Sequence, residues 1–183
     1  MTYIPLFLNT AHAGSILVVG GGEIATAKTE ALASTGAQVD VIAKELSDEI
    51  IELCDKHGFS YIEKEYDSSD LNGRRIVVAA TDNDDINEAI ADECRKQGIF
   101  INAVDNPPLC DFIFPALIRR GALQIAVSSS GISPVLARLV KQTIETVIPA
   151  KFEKVISFLE EKKSITREHL TKIQPRRLFY ENI

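Results

Sequence analysis

The most restrictive feature of this chain is a run of three glycines, Gly20-Gly21-Gly22, directly after the apolar stretch SILVV and directly before a helical pattern from Glu23 to Thr35. Strand, glycine turn and helix in that order leave few folds open. Three consecutive glycines cost backbone entropy and are kept only where the chain needs the space. With Ala25 the run reads G-x-G-x-x-A. In such a turn the first glycine bends the chain and the second lets backbone approach a pyrophosphate. The small third residue lets helix and strand pack closely. The helix N-terminus then offers free N–H groups to an anion. Gly20, Gly21, Gly22, Glu23 and Ile24 are therefore candidate cofactor contacts.

The same alternation continues downstream. AQVDVIA reads as a second strand, and Ser47 as the cap of a helix that Gly58 ends. FSYIEK is a third strand and RRIVVAATD a fourth. A helix from about Asp85 to Gln97 stops at Gly98, and IFINAVD is the fifth strand. Strands alternating with helices indicate βαβ units and a parallel sheet. Strands that are apolar throughout indicate a sheet covered on both faces. The expectation is an α/β, Rossmann-like doubly wound domain over residues 1–111. Beyond it, LQIAVS reads as one more strand, and Ser133-Pro134 opens a helix that stops before Pro149. A second helix is expected over about Lys151 to Lys163, then a basic stretch read as a short helix and a frayed tail. The organisation expected beyond the first domain is a separate segment at 112–149 and a short helical C-terminal region at 150–183.

In open parallel sheets, ligands bind outside the carboxyl ends of the strands. Ala43, Thr81, Asp82 and Asn83 end strands there and join the cofactor candidates; helix capping is an equally good reason for Asp82 and Asn83. The second strand lacks a clear terminal acid for a ribose. Asp40 lies inside it, Glu45 falls past its end, and Lys44 offers a site for a 2′-phosphate. NAD is favoured over NADP only mildly. Asp105 closes the fifth strand on the same edge, and on geometry alone a turn ahead of Pro107 and a functional carboxylate are even alternatives. Company favours function: Asn102, the run Ser128-Ser129-Ser130-Gly131 and the helix beginning at Ser133. A carboxylate beside a hydride acceptor and an anion-binding helix end suits proton abstraction coupled to hydride transfer.

Composition removes other classes. The net charge of −6 argues against general nucleic-acid binding. No apolar run is long enough for a membrane span, and MTYIPLFLNT lacks the pattern of a signal peptide. Cys54, Cys94 and Cys110 have no metal-ligand spacing, the three histidines are scattered, and no metal site is expected. The thiols fit a reducing, cytoplasmic setting.

The segments GGGEIATAK, AATDNDDINEAI and NAVDNPPLCDFIFPALIRRGALQIAVSSSGISPVLAR resemble the precorrin-2 dehydrogenase and sirohydrochlorin ferrochelatase family, the module of siroheme synthesis. The resemblance spans about residues 3 to 150. It implies NAD-dependent oxidation of precorrin-2 to sirohydrochlorin, followed in some members by Fe²⁺ insertion, a lyase activity. It implies Asp105 as general base, and a substrate-binding serine on the run Ser128 to Ser130, with Ser129 the best match. Asn102, Gly131 and Arg138 are the further substrate candidates. The substrate's carboxylates suit a helix N-terminus and arginines despite the acidic total. The resemblance also implies a homodimer that exchanges the segment after the Rossmann domain, which makes 112–149 a dimerisation segment. Two features depart from it: Ala27-Lys28 stands where the family usually has Arg-Lys, and the region after residue 150 is short, which puts iron insertion in more doubt than dehydrogenation. Two rival readings stand beside it. One is an NAD-sensing regulatory dimer without chemistry; the other is a chelatase that needs no nucleotide.

Overall fold

The computed structural model describes residues 3–169, with side chains over residues 3–163. Two compact units divide the chain, Met1–Ile113 and Phe114–Ile183.

In the first unit a single helical turn, α1 (Thr10–Ala13), precedes the sheet. The strands are β1 (Ile16–Val19), β2 (Val39–Ala43), β3 (Ser60–Glu63), β4 (Ile76–Ala79) and β5 (Phe100–Ala103). They pair in parallel in the order β3-β2-β1-β4-β5. Helices α2 (Glu23–Ala33), α3 (Asp48–His57) and α4 (Asp84–Gln97) make the crossovers, and a 3-10 turn at Ser68–Leu71 replaces one before β4. This is the doubly wound α/β arrangement expected. Every residue of β1 and β4 is buried. Alternate residues along each strand face opposite sides of the sheet. Leu17, Val19, Val77, Ala79 and Ile101 pack with Ile90, Ala91 and Cys94 of α4 and with Leu71. Val18 and Val78 point the other way, and α2 and α3 pack on each other.

Local chemistry sets the helix ends. The Ser47 hydroxyl accepts from Ile50 N–H at 3.4 Å, and Gly58 ends α3 at φ 68°. Gly98 ends α4 in the same way at φ 71°. The other end of α2 departs from expectation. It stops at Ala33, with Ser34 as cap, and Gly36 sits two residues later in the following turn. Thr35 leaves the helix because its hydroxyl donates to Leu32 O at 2.6 Å, a local bond that competes with the helical ladder.

The second unit contains a strand the sequence reading passed over. β6 (Ala116–Arg120) pairs antiparallel with β7 (Leu123–Val127), so LQIAVS is half of a hairpin. Prolines at 107, 108 and 115 hid β6, whose own residues, ALIRR, carry two arginines and so show weak apolar alternation. The turn is made by Gly121 at φ 60°. α5 (Pro134–Val147) packs on the hairpin, and α6 (Phe152–His169) packs against β6. Arg120 ties this unit together, donating through Nε to Ile148 O at 3.0 Å and pairing with Glu145 at 3.6 Å. α6 runs six residues past the helix end expected at Lys163. The tail expected beyond it, residues 170–183, lies outside the described residues.

Candidate functional site

The crossovers from β1 to β2 and from β4 to β5 run in opposite directions, so a crevice opens outside the carboxyl ends of β1 and β4. The glycine turn follows β1 and Thr81-Asp82-Asn83 follows β4, so both border this crevice.

The three glycines do different work. A Cβ on Gly20, which has φ 135°, would lie 2.2 Å from Ala80 O. A Cβ on Gly21 would lie 2.1 Å from Glu45 O and 2.9 Å from Ala43 Cβ. The chain after β2 is also clipped to the turn, Ser47 N–H donating to Gly21 O at 3.0 Å. Gly20 and Gly21 are thus required by neighbouring backbone. Gly22 is different: no atom lies within 4 Å of where its Cβ would be. It is the N-cap of α2 and supplies no side-chain cap. Open space and uncapped helical N–H groups suit the pyrophosphate of a dinucleotide. Glu23 and Ile24 are exposed on the same helix start.

Thr81 is held by a residue that sequence reading missed. Asn87, buried in the first turns of α4, accepts from Thr81 N–H at 3.2 Å and from its hydroxyl at 2.8 Å. Its Nδ2 donates to Thr81 O at 3.0 Å. The available signal was a lone asparagine on the apolar face of an otherwise solvated helix. The Asn83 side chain caps α4, accepting from Asp85 N–H at 3.0 Å and Ile86 N–H at 3.2 Å. Asp82 is exposed. Replacing Asn87 with alanine should cost about 2–3 kcal/mol, because three hydrogen bonds go and the half-buried Thr81 N–H loses its partner. Chemical denaturation would read this, and a loss below about 0.5 kcal/mol would show that the clamp contributes little.

On β2, Asp40 is paired with Arg74 and so serves the sheet. Ala43 is buried beneath the glycine turn. Lys44, the next residue, lies 3.8 Å from Glu65, with both side chains largely exposed.

Asp105 is not the last residue of β5, as expected, but two residues beyond it. Its φ is 59°, the left-handed region, which Asp and Asn tolerate better than most residues. The excursion that carries it is pinned at its base. Val104 N–H donates to Ala79 O at 2.9 Å. Asp111 N–H donates to Ile101 O at 2.8 Å, and the Asp111 carboxylate accepts from Ile101 N–H at 3.1 Å. Beneath the turn the Cys110 thiol donates to Ala103 O at 3.0 Å. Asn102, 6% exposed, donates through Nδ2 to Phe112 O at 2.8 Å, and its Oδ1 has no hydrogen-bond partner. Lys28, half-buried on α2, is electrostatically coupled to both Asp105 and Cys110. Burial pushes its ammonium below the ordinary lysine value, and Asp105 and then Cys110 partly offset this.

The remaining candidates belong to the second unit and form a cluster of their own. The Ser128 hydroxyl accepts from Ser130 N–H at 3.0 Å, and Ser130 has φ 54°. The Ser129 hydroxyl donates to Ser133 O at 2.9 Å and accepts from Ser133 N–H at 2.9 Å, closing the loop that ends with Gly131 at φ 82°. Ser133 caps α5, accepting from Leu136 N–H at 3.1 Å. Arg138 is exposed on the second turn of α5.

Residues 6–116 match the family described as putative NAD(P)-binding. The chain belongs to that family. The match covers nearly all of the first unit, the glycine turn included. Residues 120–146 match a second family, described as sirohaem biosynthesis protein central. Among curated relatives, a siroheme synthase of Ectopseudomonas mendocina is 40% identical over 183 residues, all of this chain and 39% of the relative. A siroheme synthase of Methylococcus capsulatus is 40% identical over 181 residues, 99% of this chain and 38% of the relative. The chain spans less than two fifths of the length of these relatives. A solved structure described as SirC, precorrin-2 dehydrogenase, superposes with a TM-score of 0.78 at 24% identity. It covers 98% of this chain and 89% of that one, a likeness of fold.

Free thiols complete the description: Cys54 and Cys94 are buried and Cys110 is half-buried. Burial pushes Cys94 up to about 12 and raises Cys54 and Cys110 as well. Since the thiolate is the reactive form, none should react quickly with a disulfide reagent near pH 8. Three fast equivalents in the native protein would contradict that arrangement. No helix among the described residues is long and apolar enough to cross a membrane.

Proposed function

We propose that this chain oxidises precorrin-2 to sirohydrochlorin with NAD⁺. The observation that carries the reading is Asp105, held out on a pinned turn at the same sheet edge as the open Gly22 cradle. The family match and the siroheme synthase relatives support the choice of substrate. NAD⁺ when bound accepts a hydride. The chain's own residues do the rest. The N-terminus of α2, with Gly22, Glu23 and Ile24, receives the pyrophosphate. Gly20, Gly21 and Ala43 hold that turn in shape, and Thr81, Asp82 and Asn83 border the nucleotide through backbone groups. Asp105 takes the proton released as the substrate loses its hydride. The buried Asn102 Oδ1 accepts a hydrogen bond from the substrate. Ser128, Ser129, Ser130, Gly131 and the N-terminus of α5 receive its carboxylates, with Arg138 beside them.

The working protein is a homodimer in a cytoplasmic setting. Val135, Leu136, Leu139 and Val147 are each more than half exposed on α5, an apolar face that a second copy would cover. Fe²⁺, if inserted, is a second substrate.

Anaerobic incubation with precorrin-2 and NAD⁺, following NADH and sirohydrochlorin together and then adding Fe²⁺, tests the reading. NADH formed in step with sirohydrochlorin supports it, and consumption of sirohydrochlorin after Fe²⁺ adds the chelatase step. Tight NAD binding without NADH would favour a nucleotide-sensing dimer. Parallel runs with NADP⁺ decide the nucleotide.

A further inference from the structure

We propose that Asn87 is a positioning residue for the dinucleotide, holding the turn after β4 against Gly20 so that the crevice is in shape before a nucleotide enters. The inference deepens the nucleotide-binding part of the proposed function and rests on that part alone; it does not require the precorrin-2 step.

Two strand exits meet at the crevice. Gly20 N–H donates to Ile42 O and Ala80 N–H donates to Val19 O, each at 2.8 Å. The chain leaving β1 and the chain leaving β4 are therefore tied at their base. Just beyond, backbone meets backbone: a Cβ on Gly20 would lie 2.2 Å from Ala80 O and 3.2 Å from Thr81 N. Thr81 is where the turn after β4 bears on the glycine turn, so a shift of Thr81 is felt at Gly20. One side chain fixes Thr81. Asn87 is 3% exposed and spends both of its polar atoms there. Its Oδ1 accepts from Thr81 N–H at 3.2 Å and from the hydroxyl at 2.8 Å, and its Nδ2 donates to Thr81 O at 3.0 Å. The Thr81 hydroxyl also lies 3.0 Å from Asn83 O and accepts from Asn83 N–H at 3.2 Å. Asn87 N–H donates to Asn83 O at 3.1 Å, so Thr81, Asn83 and Asn87 form a closed set of bonds at the start of α4. A buried amide is costly unless it is bonded. Further along the same helix the buried residues Ile90, Ala91 and Cys94 belong to the core, and an apolar residue at 87 would serve packing alone. What the amide adds is a fixed Thr81. Asp82 and Asn83 are exposed. Without the clamp an entering nucleotide would have to order this turn itself, and the lost entropy would weaken binding.

The test compares wild type, Asn87→Ala and Ile90→Val, each well below its unfolding temperature. Ile90 is fully buried on the same helix, so Ile90→Val is the control for lost stability alone. By fluorescence titration the NAD Kd of Asn87→Ala should rise about tenfold, the scale of ordering one residue. Ile90→Val should keep the Kd within about twofold. In turnover, Asn87→Ala should raise the KM for NAD and keep kcat at saturation within about twofold, because shaping the empty site changes binding and not the chemical step. Hydrogen exchange reads the clamp without a variant. The Thr81 amide of wild type should already be protected in the free protein and gain less than about threefold when NAD is added. A large gain on binding overturns the inference, since the nucleotide would then be what orders the turn. So does a wild-type Kd in Asn87→Ala, or an equal loss of affinity in Ile90→Val, which would be an effect of stability. A wild type that binds NAD but makes no NADH defeats the precorrin-2 reading and leaves these binding results standing.

Discussion

Asp105→Asn should lower the rate of NADH formation from precorrin-2 by about 10²–10⁴-fold, the range for loss of a general base. That corresponds to about 3–5 kcal/mol of transition-state stabilisation. The substitution is chosen for its shape. Asparagine has nearly the same volume and tolerates the left-handed conformation that residue 105 adopts at φ 59°. The backbone bonds that pin the excursion, Val104 to Ala79 and Asp111 to Ile101, do not involve the Asp105 side chain. Fold and NAD affinity should therefore be kept, with the Tm moved by no more than about 2 °C. Stopped-flow measurement of NADH with a parallel NAD titration reads both. Turnover equal to wild type would take Asp105 out of the chemistry and leave it as a turn former.

The second large effect separates ligand from fold within the glycine turn. Gly22→Val puts a side chain where no protein atom lies within 4 Å. Its cost to stability is that of a poor helix N-cap, about 1 kcal/mol. Its cost to NAD affinity should be much larger, about 100-fold or ~2.7 kcal/mol, because the added methyls stand where the pyrophosphate meets α2. Gly21→Ala should show the reverse emphasis. Its Cβ would be driven 2.1 Å from Glu45 O, which is backbone and cannot swing aside. Overpacking of that kind costs about 3 kcal/mol, and the Tm should fall by about 10 °C. Thermal unfolding and nucleotide titration of the two variants form the comparison. Normal NAD affinity in Gly22→Val would end the assignment of the turn to the cofactor.

The parts of this protein legible in the sequence are those written in short-range terms. The apolar runs SILVV and IVVA are strands because they are too short and too continuous to be anything else in a βαβ frame. Ser47, Gly58 and Gly98 mark helix ends through bonds that span only a few residues. β6 was not legible, since a two-stranded ribbon is specified by its partner and ALIRR has weak alternation of its own. Asp105 stood out as a candidate by type and company, but its left-handed conformation was not legible, because the bonds that pin its turn come from Ala79, Ile101 and Asp111. Asn87 was passed over because its role lies in the bonds it makes to Thr81, which form only once α4 folds back on the end of β4.

The sequence alone thus determined the doubly wound order and the place of the glycine turn, since local propensity and apolar burial suffice for both. It also determined which residue types line the sheet's carboxyl edge. Tertiary structure decided the rest. Only the approach of Ala80 and Glu45 shows that Gly20 and Gly21 serve the fold while Gly22 stands open. Only the bonds from Val104 to Ala79 and from Asp111 to Ile101 pin the turn that carries Asp105. These are steric and Coulombic effects between groups far apart along the chain, and such distances exist only once the sheet has closed.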